Sequence, residues 1–307
     1  MAPQHSFLIT LLLALIPLLS AAEQLAPECE PLLQIEEITH KQSVYGTGLL
    51  WRVSKIGTAP SFVFGTIHVA DESITRLPEK VSSALKSSGI FVMEVLPEPS
   101  EIMAFTSRMY FSNGQKLTDL LSQALFEEVV RLLGNYHLSA DIVTLIKPWA
   151  AFLTLNYPSQ SGQILDYKLL EIARENGAEL KGLESVQEQI DIFDNLALEK
   201  QIKLLSDTVC HYAFVEDDFD LMKSMYLDRD ISGLYAYAQR YSQFEDELYN
   251  ELIKKLSIDR NYTMAERMQP QLGNGGAFIA IGAMHLVGDE GVLAILAKND
   301  YEISLVY

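Results

Sequence analysis

Two histidines in this 307-residue sequence occupy the same short motif. His68 ends the run FVFGTIH and His285 ends the run FIAIGAMH, so that each follows a glycine, Gly65 or Gly282, by three residues. Glycine permits positive φ and close backbone approach, and a sharp turn there aims each imidazole into a crevice beyond a strand. Imidazole serves as a metal ligand or a general base. One Gly-x-x-His is a weak pattern, but its duplication indicates a functional site.

Two carboxylates also follow apolar runs. Glu94 lies near the end of IFVMEV and Glu184 ends AELKGLE. A charged group beside a buried strand is unfavourable unless it is paired or bound to a cation, although a strand that simply reaches solvent explains Glu94 equally well. Two histidines and one carboxylate, with an open position, suit a divalent transition metal. Such an ion lowers the pKa of bound water to about 7 and polarises a carbonyl.

Three further polar residues are weaker candidates. Asp166 opens a predicted helix, where an N-cap aspartate is ordinary. Arg260 and Asn261 close a helix-rich stretch before the last apolar segments. An arginine beside a metal site can hold a substrate carboxylate or an oxyanion, but spacing alone favours a surface ion pair. Other histidines lack a partner at metal-site spacing and are predicted to be ordinary polar residues: His40, His137 and His211.

Composition and motifs exclude several classes of function. Hydrophobic residues make up 49% of the chain, which is ample for a core, and the net charge of −18 opposes general attraction to nucleic acid or to an anionic membrane. The sequence contains no HExxH, GxSxG, Walker A or GxGxxG motif. We therefore predict no nucleic-acid partner.

The first 22 residues resemble a signal peptide. FLITLLLALIPLLSAA is a continuous apolar run that ends in small residues before Glu23. An uncleaved anchor is the alternative, but the run is short for a transmembrane span, and no later stretch is long and apolar enough. We predict an exported chain, periplasmic or secreted, with no membrane span after cleavage. Cys29 and Cys210 are then candidates for a disulfide, or for two buried thiols.

Two similar units at the chain ends must position the histidines. The strands GLLWRVSK and SFVFGTI precede the first Gly-x-x-His, and a helix from Leu77-Pro78 through Leu85 and the strand IFVMEV follow. The segments AFIAIGAMH, GVLAILAKND and YEISLVY repeat the order strand, Gly-x-x-His, helix, strand. We predict an α/β fold with a pseudo-symmetric core sheet of parallel crossover-linked strands. If both units share this sheet, His68 and His285 face each other at the strand ends.

A long helical insertion separates the two units. From about residue 100 to 271, apolar residues recur at three-and-four spacing, interrupted by the predicted strand AELKGLE. Because both ends of the chain are needed for one sheet, we predict that residues 23–307 form a single domain.

Together these segments resemble the TraB/GumN family. LLWRVSK, FVFGTIHVADESITRLPEKVSSAL, KPWA, LDYKLLEIARENGAELKGLESVQEQI, DRNYTMAERM and AFIAIGAMHLVGDEGVLAILAKNDYEISLV follow the family order over residues 46–306. That family is similar to Tiki-type metalloproteases and, more distantly, to the erythromycin esterase and ChaN group. The resemblance implies a metal-dependent hydrolase with an α/β core. It carries over to the following positions: Gly65, His68, Glu94, Glu184, Arg260, Asn261, Gly282 and His285.

We therefore predict a metal-dependent hydrolase, and specifically a peptidase acting on peptides or proteins in the cell envelope or outside the cell. His68, His285 and Glu94 would hold manganese, cobalt or zinc, with Asp166 supporting them. Glu184 would be a general base or further ligand, and Arg260, with Asn261 beside it, would steady an oxyanion or a substrate terminus. The alternatives are a non-catalytic protein that binds haem or a peptide signal with the same histidines, and a metal-dependent esterase.

Overall fold

A six-stranded mixed sheet runs through the computed structural model of the chain, which describes residues 42–159, 162–239 and 247–307. The strands are β1 (Leu50–Ser54), β2 (Ser61–Thr66), β3 (Ile90–Val95), β4 (Glu179–Glu184), β5 (Ala277–Gly282) and β6 (Glu302–Leu305). Their order across the sheet is β4-β3-β5-β2-β1-β6. Neighbours from β4 to β2 are parallel, whereas β1 is antiparallel to both β2 and β6. The α/β class is confirmed.

Helices surround this sheet in the described ranges. They are α1 (Glu72–Thr75), α2 (Glu79–Ser87), α3 (Pro99–Arg108), α4 (Gln123–Gly134), α5 (Ala140–Leu145), α6 (Pro148–Leu155), α7 (Leu165–Glu175), α8 (Val186–Asp194), α9 (Leu198–His211), α10 (Val215–Leu227), α11 (Ile231–Gln239), α12 (Glu247–Ile253), α13 (Asp259–Arg267), α14 (Gln269–Asn274) and α15 (Val292–Lys298). A π-helical turn, Lys254–Ile258, joins α12 to α13. The helices between β3 and β5 form the expected insertion, which β4 interrupts.

The two crossover connections run in opposite directions across the sheet. The chain passes from β2 through α2 to β3 on one side, and from β5 through α15 to β6 on the other. Right-handed crossovers in opposite directions place their helices on opposite faces. Accordingly, Val81 of α2 packs in one core cluster with Phe64, whereas Val292 of α15 packs in another with Val63. Successive side chains of β2 therefore serve the two faces.

The two strands that each crossover links, β2 with β3 and β5 with β6, are not neighbours in the sheet. This differs from the sequence prediction that crossover-linked strands pair with each other. β5 lies between β2 and β3, and β6 pairs with β1 instead of β5. The shared sheet is confirmed, and it brings the motif-bearing strands side by side, with Thr66 opposite Gly282. Because the chain leaves β2 and β5 toward opposite faces, a crevice opens at their carboxyl ends, where α/β sheets bind ligands.

The helical insertion has a core of its own that meets the sheet beside Glu94. Trp149 of α6, Phe193 of α8 and Leu205 of α9 are fully buried there, and Val95 of β3 joins the same cluster. The insertion therefore packs directly against the edge of the sheet at which the histidines lie.

Several predictions concern residues outside the described ranges. The predicted signal peptide (residues 1–22), Cys29 and His40 all lie there. Cys210 lies in the last turn of α9. Because Cys29 lies outside the described ranges, the disulfide between the two cysteines stays a prediction. In the part of the chain that the structure covers, every helix is too short or too polar to cross a membrane.

Candidate metal centre at the strand ends

The first histidine is held by a carboxylate. His68 follows β2, is 5% exposed, and its Nδ1 lies 2.8 Å from Oδ2 of Asp166. The other carboxylate oxygen, Oδ1, accepts a hydrogen bond of 2.9 Å from Oγ1 of Thr66. Burial alone lowers the pKa of His68, but the charge and hydrogen bond of Asp166 outweigh it, so that the pKa lies above its ordinary value. The contact makes Nε2 the nitrogen through which a metal would bind.

Asp166 is not an N-cap, contrary to the ordinary interpretation of its place in the sequence. The N-cap of α7 is Ile164, whose backbone precedes the helix without a side-chain cap. Asp166 lies one residue inside α7, is 7% exposed, and points to the strand end. The positive end of the helix dipole also stabilises a carboxylate in the first turn. It therefore orients an imidazole.

The second histidine is held by an amide. His285 ends a short 3₁₀ turn after β5, and its Nδ1 lies 2.6 Å from Oδ1 of Asn261. The Asn261 amide nitrogen donates to the carbonyl of Glu290 at 2.8 Å, which fixes the amide orientation. His285 is therefore protonated on Nδ1, and its Nε2 accepts from Nη1 of Arg260 at 3.0 Å. Burial first, and Arg260 second, lower the pKa of His285 to about 3.

Glu94 contacts the second turn and Arg260. Its Oε1 accepts from the backbone N–H of Gly282 at 2.5 Å, and its Oε2 accepts from Nη2 of Arg260 at 2.9 Å. Burial raises the pKa of Glu94, but the charge of Arg260 and the other neighbours outweigh it and hold the pKa at about 2. Glu94 is 6% exposed, so the interpretation that its strand had reached solvent is wrong. It is ionised and buried, which requires a cation beside it.

Arg260 is the cation that pairs with Glu94, and it forms an ion pair with Glu184 as well. Its Nε lies 3.0 Å from both carboxylate oxygens of Glu184, and its Nη2 also contacts Oε2. The Glu184 side chain is 4% exposed and accepts a further hydrogen bond of 3.2 Å from Gln189. Arg260 itself is 4% exposed. The surface ion pair that spacing alone favoured is therefore wrong, since one guanidinium binds two buried carboxylates.

The π-helical turn contributes to this position. Arg260 and Asn261 lie in the first turn of α13, which follows that turn, and Nη1 of Arg260 donates to the carbonyl of Leu256 within it at 3.2 Å. π-helical turns are rare and occur frequently at functional sites. Here the two residues that contact His285 follow the widened turn after a single residue, Asp259.

The motif glycines are needed for close packing. Neither Gly65 nor Gly282 has positive φ, so that part of the prediction is wrong. A Cβ on Gly65 would lie 2.8 Å from Leu286 and 3.0 Å from Ala283, while one on Gly282 would lie 3.2 Å from Oε1 of Glu94. The predicted close approach is correct at both turns. At Gly282 the partner is a site carboxylate itself.

Sequence reasoning missed two supporting residues. Thr66, inside the first motif, orients Asp166, and Gln189 of α8 contacts Glu184. Thr66 could have been found as the polar side chain between Gly65 and His68, whereas no local signal marks Gln189. Among the other described histidines, His137 lies in a loop, and His211 is buried in α9 away from these contacts, with a pKa lowered by burial to about 4.

The donor set fits a divalent ion in type and orientation. Both imidazoles have Nδ1 engaged by a side-chain oxygen, the usual arrangement around a histidine that ligates metal through Nε2. Glu94 adds an ionised carboxylate, and its charge acts on both His68 and His285. Within the described residues, no three His, Cys, Asp or Glu side chains are gathered closely enough to form a ready metal-binding group. The guanidinium of Arg260 lies among these ligand atoms.

Fold and site define an α/β protein with a buried histidine–carboxylate centre at the switch point of its sheet. The chain belongs to the TraB/PrgY/gumN family, whose family model matches residues 49–305. This result confirms the resemblance drawn from the sequence.

Curated relatives carry the name metalloprotease. Metalloprotease TIKI2 of Danio rerio is 25% identical over 83% of this chain, which spans 60% of that protein's length. Metalloprotease TIKI1 of Homo sapiens is 23% identical over 99% of the chain and 69% of the relative. The uncharacterized protein YbaP of Shigella flexneri is 22% identical over 76% of the chain and 86% of the relative. No solved structure matches the chain significantly. The relatives support a metal-dependent protease at the level of the family.

Proposed function

We propose that this chain is a metal-dependent hydrolase whose centre is formed by the two Gly-x-x-His turns. The observation that carries the proposal is the shared orientation of the imidazoles. Asp166 holds Nδ1 of His68 and Asn261 holds Nδ1 of His285, so that in both cases Nε2 would be the ligating nitrogen. Glu94, whose Oε1 lies 3.8 Å from Nε2 of His285, would be the third ligand.

Each remaining residue of the centre has a proposed role. A divalent ion held there would supply Lewis acidity and a water of lowered pKa. Glu184 would accept a proton from that water, and Arg260, bonded to Glu184, would hold a developing oxyanion or a substrate carboxylate. Asp166 and Asn261 keep the imidazoles in one tautomer. Manganese, cobalt and zinc all suit two imidazoles and a carboxylate.

We propose a peptide or protein as the substrate. The support is the printed name of the relatives, metalloprotease, at 22–25% identity. The structural support is that helices of the insertion pack beside Glu94 and would flank a bound chain. We propose that this reaction takes place outside the cytoplasm, in the periplasm or after secretion. The apolar segment before Glu23 supports this proposal, and cell fractionation of a tagged chain would test it.

The primary test is metal content. The purified protein is dialysed against Mn²⁺, Co²⁺ or Zn²⁺, and the bound metal is measured by mass spectrometry beside the His68→Ala/His285→Ala double variant. We expect about one equivalent in the wild type and none in the double variant. Absence of stoichiometric metal in the wild type under all three conditions would overturn the proposal.

Turnover separates the hydrolase from a binding protein. A peptide library is incubated with the metal-loaded wild type and with Glu184→Gln, which keeps the size of the side chain. A hydrolase loses cleavage in Glu184→Gln because the base is gone. A protein that binds haem or a peptide through the histidines would show no cleavage in either form. Glu128→Gln in α4 is the matched control, since Glu128 pairs with Arg131 at the surface.

A further inference from the structure

The guanidinium of Arg260 contacts the atoms that the proposed function assigns to a metal. Nη1 lies 3.0 Å from Nε2 of His285, and Nη2 lies 2.9 Å from Oε2 of Glu94. The Nε–H group of the same guanidinium donates to both carboxylate oxygens of Glu184 at 3.0 Å. One planar group thus spans two of the three proposed ligands and the proposed base.

A metal ion and this arginine cannot use the same imidazole nitrogen at once. Neutral imidazole has a single lone pair on the nitrogen without hydrogen, and at His285 the Asn261 contact fixes that nitrogen as Nε2. A hydrogen bond from Nη1 and a metal bond at about 2.0–2.1 Å are mutually exclusive there. Coordination by His285 therefore requires Arg260 to leave Nε2.

Because both are cations, a metal ion can also displace the guanidinium of Arg260. Glu94 and Glu184 are both buried, and Arg260 is the cation that pairs with them. A buried carboxylate without a cation is strongly unfavourable, so a second cation of higher charge at Glu94 can take the place of the guanidinium. Glu184 would retain Arg260 through Nε, so that the arginine shifts within the site and stays in it.

We propose that Arg260 is a built-in competitor for the metal: its guanidinium occupies the ligand atoms of His285 and Glu94, and the ion must displace it onto Glu184 to bind. This inference rests on the proposed metal centre. Arg260 thereby sets the affinity of the site for metal and couples metal loading to the release of an arginine for substrate. Its role in the first step is that of a positioning residue, not a catalytic one.

Calorimetric titration with Co²⁺ alone tests the proposal without any activity assay. The chelator-treated protein is compared with Arg260→Gln and with the control Arg131→Gln, which pairs with Glu128 at the surface of α4. We expect Arg260→Gln to bind Co²⁺ at least about tenfold more tightly than the wild type, because the competing hydrogen bonds and positive charge are gone. Arg131→Gln should bind as the wild type does.

Each outcome separates this inference from the proposed function. Equal or weaker binding by Arg260→Gln, with a wild type that binds Co²⁺, would overturn the competition and leave the metal centre intact. Binding by Arg260→Gln alone would support the competition and contradict a metal hydrolase in the wild type. If neither form binds, both proposals are wrong.

A second variant guards against loss of folding. Arg260→Gln leaves Glu94 and Glu184 without their cation, so its metal-free form is expected to melt earlier than the wild type, and circular dichroism reports this. Arg260→Lys keeps the charge but not the planar fork. We expect it to fold and to bind Co²⁺ more tightly than the wild type, by less than Arg260→Gln does. Wild-type affinity in a folded Arg260→Lys would count against the proposal.

Discussion

The two Gly-x-x-His turns share a sequence pattern but differ in charge. His68 rests against the carboxylate of Asp166, and its pKa is raised, whereas His285 rests against an amide and a guanidinium, and its pKa falls to about 3. The turn aims the ring, and the partner from another helix decides its protonation. A duplicated motif therefore produces two histidines whose protonation equilibria differ.

The largest effect is expected when the histidine of either turn is removed. If both turns form one site, His68→Ala, His285→Ala and the double variant should each lose Co²⁺ affinity by more than about a hundredfold, because removal of either ligand already disables the site. Titration calorimetry measures the three. His211→Ala, which removes another buried imidazole, is the control. Additive losses would show that the turns bind independently.

A smaller effect distinguishes the two glycines. Gly65→Ala forces a Cβ against Leu286 and Ala283 and should lower the free energy of unfolding by about 1–3 kcal/mol, measured by urea denaturation. Gly282→Ala presses instead on the Glu94 carboxylate, so it should cost less stability but more metal affinity.

The matched control for both glycine variants is Gly134→Ala at the end of α4, where an added Cβ meets nothing within 4 Å. If Gly65→Ala and Gly282→Ala behaved alike in both stability and metal affinity, the structural difference between the turns would have no energetic counterpart.

Exchanging the partners should bring the two histidines closer in pKa. Asp166→Asn removes the charge that raises the pKa of His68, so that pKa should fall below its ordinary value, because burial then dominates. Asn261→Asp should raise the pKa of His285 from about 3. Histidine NMR titrations of the metal-free variants measure both shifts, and unchanged titration curves would contradict this account of the asymmetry.

The same asymmetry predicts opposite dependences of stability on pH. Because the pKa of folded His285 is lower than its unfolded value, its contribution to stability is present above about pH 6.5 and is lost as the pH falls toward 3. The contribution of His68, whose folded pKa is raised, is fully present below about pH 6.5 and is lost as the pH rises through the folded pKa. Asp166→Asn should therefore abolish the alkaline loss in urea titrations at stepped pH.

The smallest effect concerns the support of the first turn. Thr66→Val removes the hydrogen bond to Oδ1 of Asp166 and should cost about 1 kcal/mol of stability, with a slight loss of metal affinity. Thr144→Val in α5, whose hydroxyl donates to a carbonyl at the surface, is the control. Equal melting temperatures for these two variants would show that Thr66 does not support Asp166.

The sequence alone determined most of the local structure of this protein and named the candidate site residues. Apolar runs marked β2, β3 and β5 within a few residues, because burial on both sheet faces demands those side chains, and alternation marked the edge strand β6. The duplicated turn indicated His68 and His285, the ends of apolar runs indicated Glu94 and Glu184, and the family resemblance supported these residues together with Arg260.

Tertiary structure alone decided which of these groups meet. Asp166 reaches His68 across 98 residues, and Arg260 reaches Glu94 across 166, through the packing of α7 and α13 on the strand ends. The insertion of β5 between β2 and β3 depends on long-range strand pairing, which no local pattern encodes. For the same reason, spacing placed Arg260 at the surface, whereas the fold buries it between two carboxylates.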